Sequence, residues 1–270
     1  DADVVEPSDI IVGSSAIYVA GFNSDGDPAV VSIDPSTGVV TEIWAGEPLV
    51  QPSGIALSAD ELTVYVADVG SVSALGDTNG GVYEIDIGGG SATEVGIQGT
   101  IDMPGDIAIS ADGATWYISG LNVGGQPAIF SADSGTGTVS EVFTGEPLVD
   151  PLALDVSPDG TTLYVLDSLA SNGSGAILAF GTAGWTYDDE LAFGIDIEFP
   201  GGLAADDSGE MLLYTSIRSG SLNAVTTDGL GFEVLDTSGM LKLPTGVAVA
   251  GEMAYVTDIS ADSDVYALSY

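Results

Sequence analysis

The sequence predicts an all-β chain, a six-bladed β-propeller with four antiparallel strands per blade, and three observations predict it. A proline-led phrase recurs six times, at Pro7 (PSDIIV), Pro52 (PSGIAL), Pro104 (PGDIAI), Pro151 (PLALDV), Pro200 (PGGLAA) and Pro244 (PTGVAV), at intervals of 44 to 52 residues. Each copy is followed 11 to 14 residues later by a tyrosine: Tyr18, Tyr65, Tyr117, Tyr164, Tyr214 and Tyr255. Between the copies lie only short alternating segments bounded by Gly, Asp, Ser and Pro. A repeat of this length built from strands alone is one propeller blade.

The stretch 52–68 shows the unit. Residues 55–57 make a first strand, Ser58-Ala59-Asp60 leads a tight turn, and residues 63–66 make a second strand. Third strands read at 29–33, 82–85, 128–131, 176–180, 222–225 and 265–268. Fourth strands read at 40–44, 93–95, 139–143 and 232–235, with that of the fourth repeat somewhere within 185–193. One domain, 1–270, divides into blades at 6–50, 51–102, 103–150, 151–199, 200–243 and 244–270. The last repeat stops after its third strand, so residues 1–5 are expected to supply its outer strand and close the ring. Repeats one and three are close copies, TGVVTEIWAGEPLVQP (37–52) against TGTVSEVFTGEPLVDP (136–151).

Composition removes several chemistries. The chain has no cysteine, so it has no disulfides and no thiolate nucleophile or metal ligand. It has no histidine, which removes imidazole bases, Ser-His-Asp triads and ordinary zinc or haem ligation. Any metal would be held by oxygen, which points to Ca²⁺ or Mg²⁺. Acidic residues number 41 against two basic ones, Arg218 and Lys242, for a net charge of −39. That field repels nucleic acid and anionic membranes, and no apolar run is long enough for membrane insertion. It favours a cationic protein or surface as partner, or self-assembly. The balance of acidic, Gly, Ser, Thr and Ala residues predicts an extracellular or periplasmic protein.

In a propeller the first strands line the central channel, and one rim carries the connections between second and third strands and between blades. Two sets of aspartates are placed on that rim: Asp9 and Asp106, each two residues after its aligned proline, and Asp68, Asp167 and Asp258, each ending a second strand. As a ring they would raise one another's pKa or recruit a cation. As separate residues they would brace neighbouring loops through backbone N–H groups, and both readings stand. Asn23, Asp25 and Asp27 carry oxygen at i, i+2 and i+4, a calcium-loop spacing, but Pro28 stands where the loop glycine belongs; the same residues serve an ordinary acidic turn. Asp77 with Asn79, and Asp262 with Asp264, are weaker versions. Arg218 and Lys242 both map to this rim in the fifth repeat, as an anion-recognition spot or as two salt bridges. On the opposite rim the turn aspartates Asp60, Asp112, Asp159 and Asp206 read as local turn chemistry. Trp44, Trp116 and Trp185 read as packing between blades.

The phrase P-x-G-[ILV]-A-[ILV]-S-x-D followed by LYVxD, clearest in 52–60 and 162–167, resembles six-bladed propellers of the NHL-repeat and gluconolactonase/strictosidine-synthase-like group. The resemblance implies a channel-mouth divalent metal held by Glu, Asn and Asp, with the Asn in a Pro-Asn-Gly phrase. Here Ser8, Ser53, Gly105, Leu152, Gly201 and Thr245 take that position, never Asn, and only Glu6 offers itself for the Glu. The expected function is therefore a non-catalytic binding or scaffold module acting through its acidic rim, with Ca²⁺ as its one candidate cofactor. The alternative is a Ca²⁺-dependent lactonase or hydrolase, with Arg218 or Lys242 orienting the substrate.

Overall fold

A computed structural model describes residues 4–70, 80–95, 100–194, 197, 199–236, 238–260 and 264–270. Blade one comprises β1 (Val4–Val12), β2 (Ile17–Asn23), β3 (Pro28–Ile33) and β4 (Val40–Ala45). Blade two follows with β5 (Pro52–Leu57), β6 (Thr63–Asp68), β7 (Gly81–Asp86) and β8 (Ala92–Val95), and blade three with β9 (Ile101–Ile109), β10 (Thr115–Asn122), β11 (Pro127–Asp133) and β12 (Val139–Thr144). Blade four holds β13 (Pro151–Val156), β14 (Thr162–Asp167), β15 (Ala176–Gly181) and β16 (Thr186–Phe193). Blade five holds β17 (Pro200–Ala205), β18 (Met211–Ser216), β19 (Ser221–Thr226) and β20 (Phe232–Asp236), and blade six β21 (Pro244–Ala250), β22 (Met253–Asp258) and β23 (Asp264–Ser269). Every sheet runs in chain order with antiparallel neighbours. The inner strands β1, β5, β9, β13, β17 and β21 pack side by side around one axis, β21 against β1 closing the circle. The six-bladed architecture is the one the repeat predicts.

Ring closure differs from the expectation. Val4 and Glu6 lie opposite Asn23 and Phe22 of β2, so the segment before Pro7 extends the innermost strand of blade one. A chain committed to that register cannot also cross the full width of blade six to its outer edge. Among the described residues the last sheet keeps three strands.

The proline phrase has a structural cause. The ladder between first and second strands slips just past the proline, as between Pro7 and Asp9, Pro52 and Gly54, or Pro151 and Ala153. Such a bulge leaves backbone groups without ladder partners. Second-strand hydroxyls take them: Ser119 accepts from Asp106 N–H at 3.1 Å, Thr215 from Gly202 N–H at 2.8 Å and Thr257 from Gly246 N–H at 2.8 Å. Apolar residues of neighbouring blades then pack together; one cluster joins Ile55, Val64 and Tyr83 of blade two to Tyr18 and Val30 of blade one. The tryptophans serve these seams. Trp116 packs on Tyr65 of the preceding blade with ring centres 4.6 Å apart, and Trp185 on Tyr117 at 5.7 Å.

Candidate functional site

Asp9 and Asp106 come together, but inside the channel rather than at its mouth. Each reaches sideways to the next inner strand: Asp9 Oδ2 accepts from Ile55 N–H at 3.0 Å, and Asp106 Oδ2 from Leu154 N–H at 2.9 Å. The two carboxyls also hydrogen-bond to each other. Space for them comes from glycine: a Cβ on Gly54 would stand 2.2 Å from Asp106 Oδ1, and one on Gly246 2.6 Å from Asp9 Oδ1. A third carboxylate joins them. Asp155 Oδ2 accepts from Ala205 N–H at 2.8 Å and its Oδ1 from Val156 N–H at 2.8 Å. The three line a channel cavity of about 160 Å³ that continues along the inner strands.

Burial sets their acidity. Asp106 is pushed well above the carboxylate range, first by loss of water and then by the charge of Asp9. Asp9 is raised by burial, partly offset by the Ile55 and Ile10 N–H groups and by the bond from Asp106. Asp155 is pushed up to about 6, again by burial. Burial and mutual repulsion therefore favour a proton on the pair. Sequence reading missed Asp155, although an acid inside the apolar phrase PLALDV was its signal.

Asp68, Asp167 and Asp258 do not join this group. Asp68 accepts from Val50 and Gly70 N–H at 2.8 and 2.7 Å; Asp167 from Val149, Leu169 and Ala170 N–H at 2.8, 3.0 and 2.8 Å; Asp258 from Lys242 and Ser260 N–H at 2.7 and 2.8 Å. Each ties the chain entering its blade to the loop leaving the second strand, the bracing reading. Asn23 Oδ1 accepts from Asp25 and Asp27 N–H at 3.1 and 3.0 Å, while its Nδ2 donates to Glu42. Asn122 repeats this pattern with Gly124, Gln126 and Glu141, so the loop is a side-chain-organised turn, with Asp25 and Asp27 exposed on it. Among the described residues no three acidic side chains are grouped to hold a metal ion. The carboxylates of Asp9, Asp68, Asp106, Asp167 and Asp258 already face N–H donors, whose positive ends oppose a cation, so these five are not arranged as the metal site that the resemblance implies, while Asp25 and Asp27 stand exposed on their turn. Asp77, Asn79 and Asp262 lie outside the described residues.

The rim formed by the turns between first and second and between third and fourth strands is charged in a different way. In the turn after β5, Ser58 Oγ donates to Asp60 Oδ1 at 2.7 Å, Leu62 N–H adds a bond at 3.1 Å, and Thr63 N–H returns to Ser58 Oγ at 3.0 Å. Ser110 with Asp112 and Ser157 with Asp159 repeat it. Asp34, Asp133 and Asp228 are held by Ser36, Thr136 and Thr226 in the outer turns. Hydroxyl and N–H donors favour the charged form, and all six exposed carboxyls lie below their ordinary pKa.

Arg218 and Lys242 do converge. They line one pocket of about 430 Å³ on blade five, on the rim opposite those turns.

No family model matches the chain, and no curated protein matches it. Solved structures do. A chain of a nidogen/laminin complex has a TM-score of 0.72 at 19% identity, over 96% of this chain and 88% of that one. A gluconolactonase from Xanthomonas campestris has a TM-score of 0.72 at 16% identity, over 99% and 87%. TolB from Acinetobacter baumannii has a TM-score of 0.60 at 14% identity, with all of this chain covering 55% of that one. Identities this low speak for the fold alone. Blade count, strand order and these likenesses agree: the chain is a six-bladed β-propeller, with a gluconolactonase among its structural neighbours.

Proposed function

We propose that the protein is a non-catalytic binding module that engages a cationic partner through its rim of turn aspartates. The observation that carries this reading is the set Asp34, Asp60, Asp112, Asp133, Asp159 and Asp228. They are exposed, spread over five blades on one rim, and each held ionised by its own turn. Fixed like charges on a rigid frame steer a basic surface and lose little order on binding it. Ca²⁺ enters as a screening counterion competing with that partner, not as a ligated cofactor. A location outside the cytoplasm accompanies this reading, supported by the acidic, lysine-poor, Gly-, Ser-, Thr- and Ala-rich composition; among the described residues no helix is long and apolar enough to cross a membrane.

The test is binding to a polylysine-coated sensor. Replacing the six rim aspartates by Asn keeps an acceptor oxygen in each turn and removes six charges. A control with six neutralised carboxylates elsewhere, Asp25, Asp27, Glu47, Glu94, Glu146 and Glu233, has the same net charge. The rim variant is expected to bind at least tenfold more weakly than the control. Equal loss in both would show that bulk charge, not the rim, does the binding.

A further inference from the structure

The pocket of blade five joins residues from four consecutive stretches. Arg218 and Ser219 come from the β18–β19 connection, Ser221 and Asn223 from β19, Asp236 from the end of β20, and Lys242 from the connection into β21. Both basic residues of a chain with 41 acids thus stand at one pocket. Its wall is a polar network fixed in place. Asn223, 2% exposed, exchanges hydrogen bonds with Ser221 Oγ at 3.1 and 3.2 Å, and Ser221 Oγ meets Ser219 Oγ at 2.6 Å. Lys242 Nζ donates to Gly239 O, which orients the ammonium and leaves it further N–H donors.

Asp236 makes this more than a polar hollow. It is 9% exposed, Oδ1 accepts from Ser238 N–H at 2.9 Å, and Oδ2 is buried with no hydrogen-bond partner. An unsatisfied buried carboxylate oxygen is costly, and a charged donor relieves it best. One wall therefore offers cations and another the Asp236 carboxylate, whose inner oxygen lacks a donor.

We infer that this pocket binds a small zwitterion of the α-amino-acid class, its carboxylate on Arg218 and Lys242 and its ammonium at the Asp236 carboxylate that lines the pocket. A cavity of about 430 Å³ lies in the size range of small-molecule sites. Net charge selects the class. A free anion must approach a protein of charge −39 against its field, whereas a zwitterion arrives neutral and uses both walls. The site stands on the rim opposite the turn aspartates and does not depend on their role.

The experiment is thermal unfolding of the whole chain with each of the twenty L-α-amino acids, then with propionate and ethylamine as the two halves of alanine. At least one amino acid raises the unfolding temperature by roughly 5 °C at a hundredfold excess over its dissociation constant. Neither half does so alone. Calorimetric titration with the same amino acid then weakens at least tenfold in Lys242→Met and in Asp236→Asn, each checked for an unchanged circular dichroism spectrum. Among the described residues Lys242 Nζ holds a loop carbonyl alone, so Lys242→Met keeps the test open should Asp236→Asn fold poorly. No shift with any amino acid overturns the inference, as does binding that survives Lys242→Met, or propionate binding as tightly as the amino acid. Loss of polylysine binding in the rim variant leaves this result untouched, so the two readings fail separately.

Discussion

Asp155 offers the sharpest quantitative test of the channel. In the fold its carboxyl titrates near 6, against an ordinary 3.8. The folded chain therefore holds this proton more tightly than the unfolded chain. Its contribution is intact below pH 3.8 and is lost as the pH climbs through about 6. That separation in proton affinity corresponds to about 3 kcal/mol at roughly 1.4 kcal/mol per tenfold change. Asp155 is only partly shielded, because it borders the channel cavity, so we expect about 1.5–3 kcal/mol in practice. The perturbation is Asp155→Ala, which removes the titrating group together with its brace to Ala205 N–H. At pH 3 the variant is less stable than the wild type by the full value of that brace. By pH 7.5 the wild type has an ionised acid in the channel and the variant does not, so the gap narrows by the same 1.5–3 kcal/mol or so. Urea unfolding at fixed salt, repeated at half-unit pH steps, measures both curves. A gap constant to within about 0.5 kcal/mol, or one that widens with pH, would refute the account of burial as the cause.

Asp167→Ala strips acceptors from Val149, Asp150, Leu169 and Ala170 N–H and should destabilise by about 3 kcal/mol or more in the same assay, while a surface control such as Asp25→Ala stays within about 0.5 kcal/mol. Gly54→Ala places a methyl 2.2 Å from Asp106 Oδ1 and 2.7 Å from its Cα, so a loss of roughly 3 kcal/mol is expected, and full stability would mean that the cradle is loose. Ser58→Ala removes the main cause of the lowered Asp60 pKa, so an NMR pH titration should show the Asp60 midpoint moving up toward 3.8. Because the turn aspartates lie below their ordinary pKa, what they add to stability is present at neutral pH and disappears as the pH falls through their lowered values. Added salt should raise the unfolding temperature, with Ca²⁺ acting at lower concentration than Na⁺; a flat response would show that repulsion among the 41 acids costs the fold nothing.

The architecture was legible because a blade is local. Its strands alternate, its turns carry Ser-x-Asp, and its phrase repeats on a period that no other element interrupts. What belongs to the ring was harder to read. The position two residues past each proline singled out Asp9 and Asp106 together, yet whether such a side chain points to the mouth or to the neighbouring inner strand depends on the bulge, which slips the register after the proline. Asp68, Asp167 and Asp258 showed their common position but not their use, since their partners lie 15 to 18 residues upstream as backbone groups with no side-chain signature. Residues 1–5 looked like a spare outer strand, whereas Val4 and Glu6 pair with β2, itself a strand of ordinary composition. The convergence of Arg218 and Lys242 was visible through rarity, whereas the unmet oxygen of Asp236 was not, because a missing partner leaves no trace in a sequence.

The interlock of Asp106 with the hollow at Gly54, and of Asp9 with that at Gly246, makes two of the seams specific for the blades that form them. Blades one and three are near copies by sequence, yet each presents a projecting acid and needs a recess beside it. Cutting the chain in a surface loop and rejoining its ends would leave every neighbour in place. Shuffling the blades into a new circular order would set acid against acid or recess against recess, and the assembly would then lose its central seal although each unit kept its own strands.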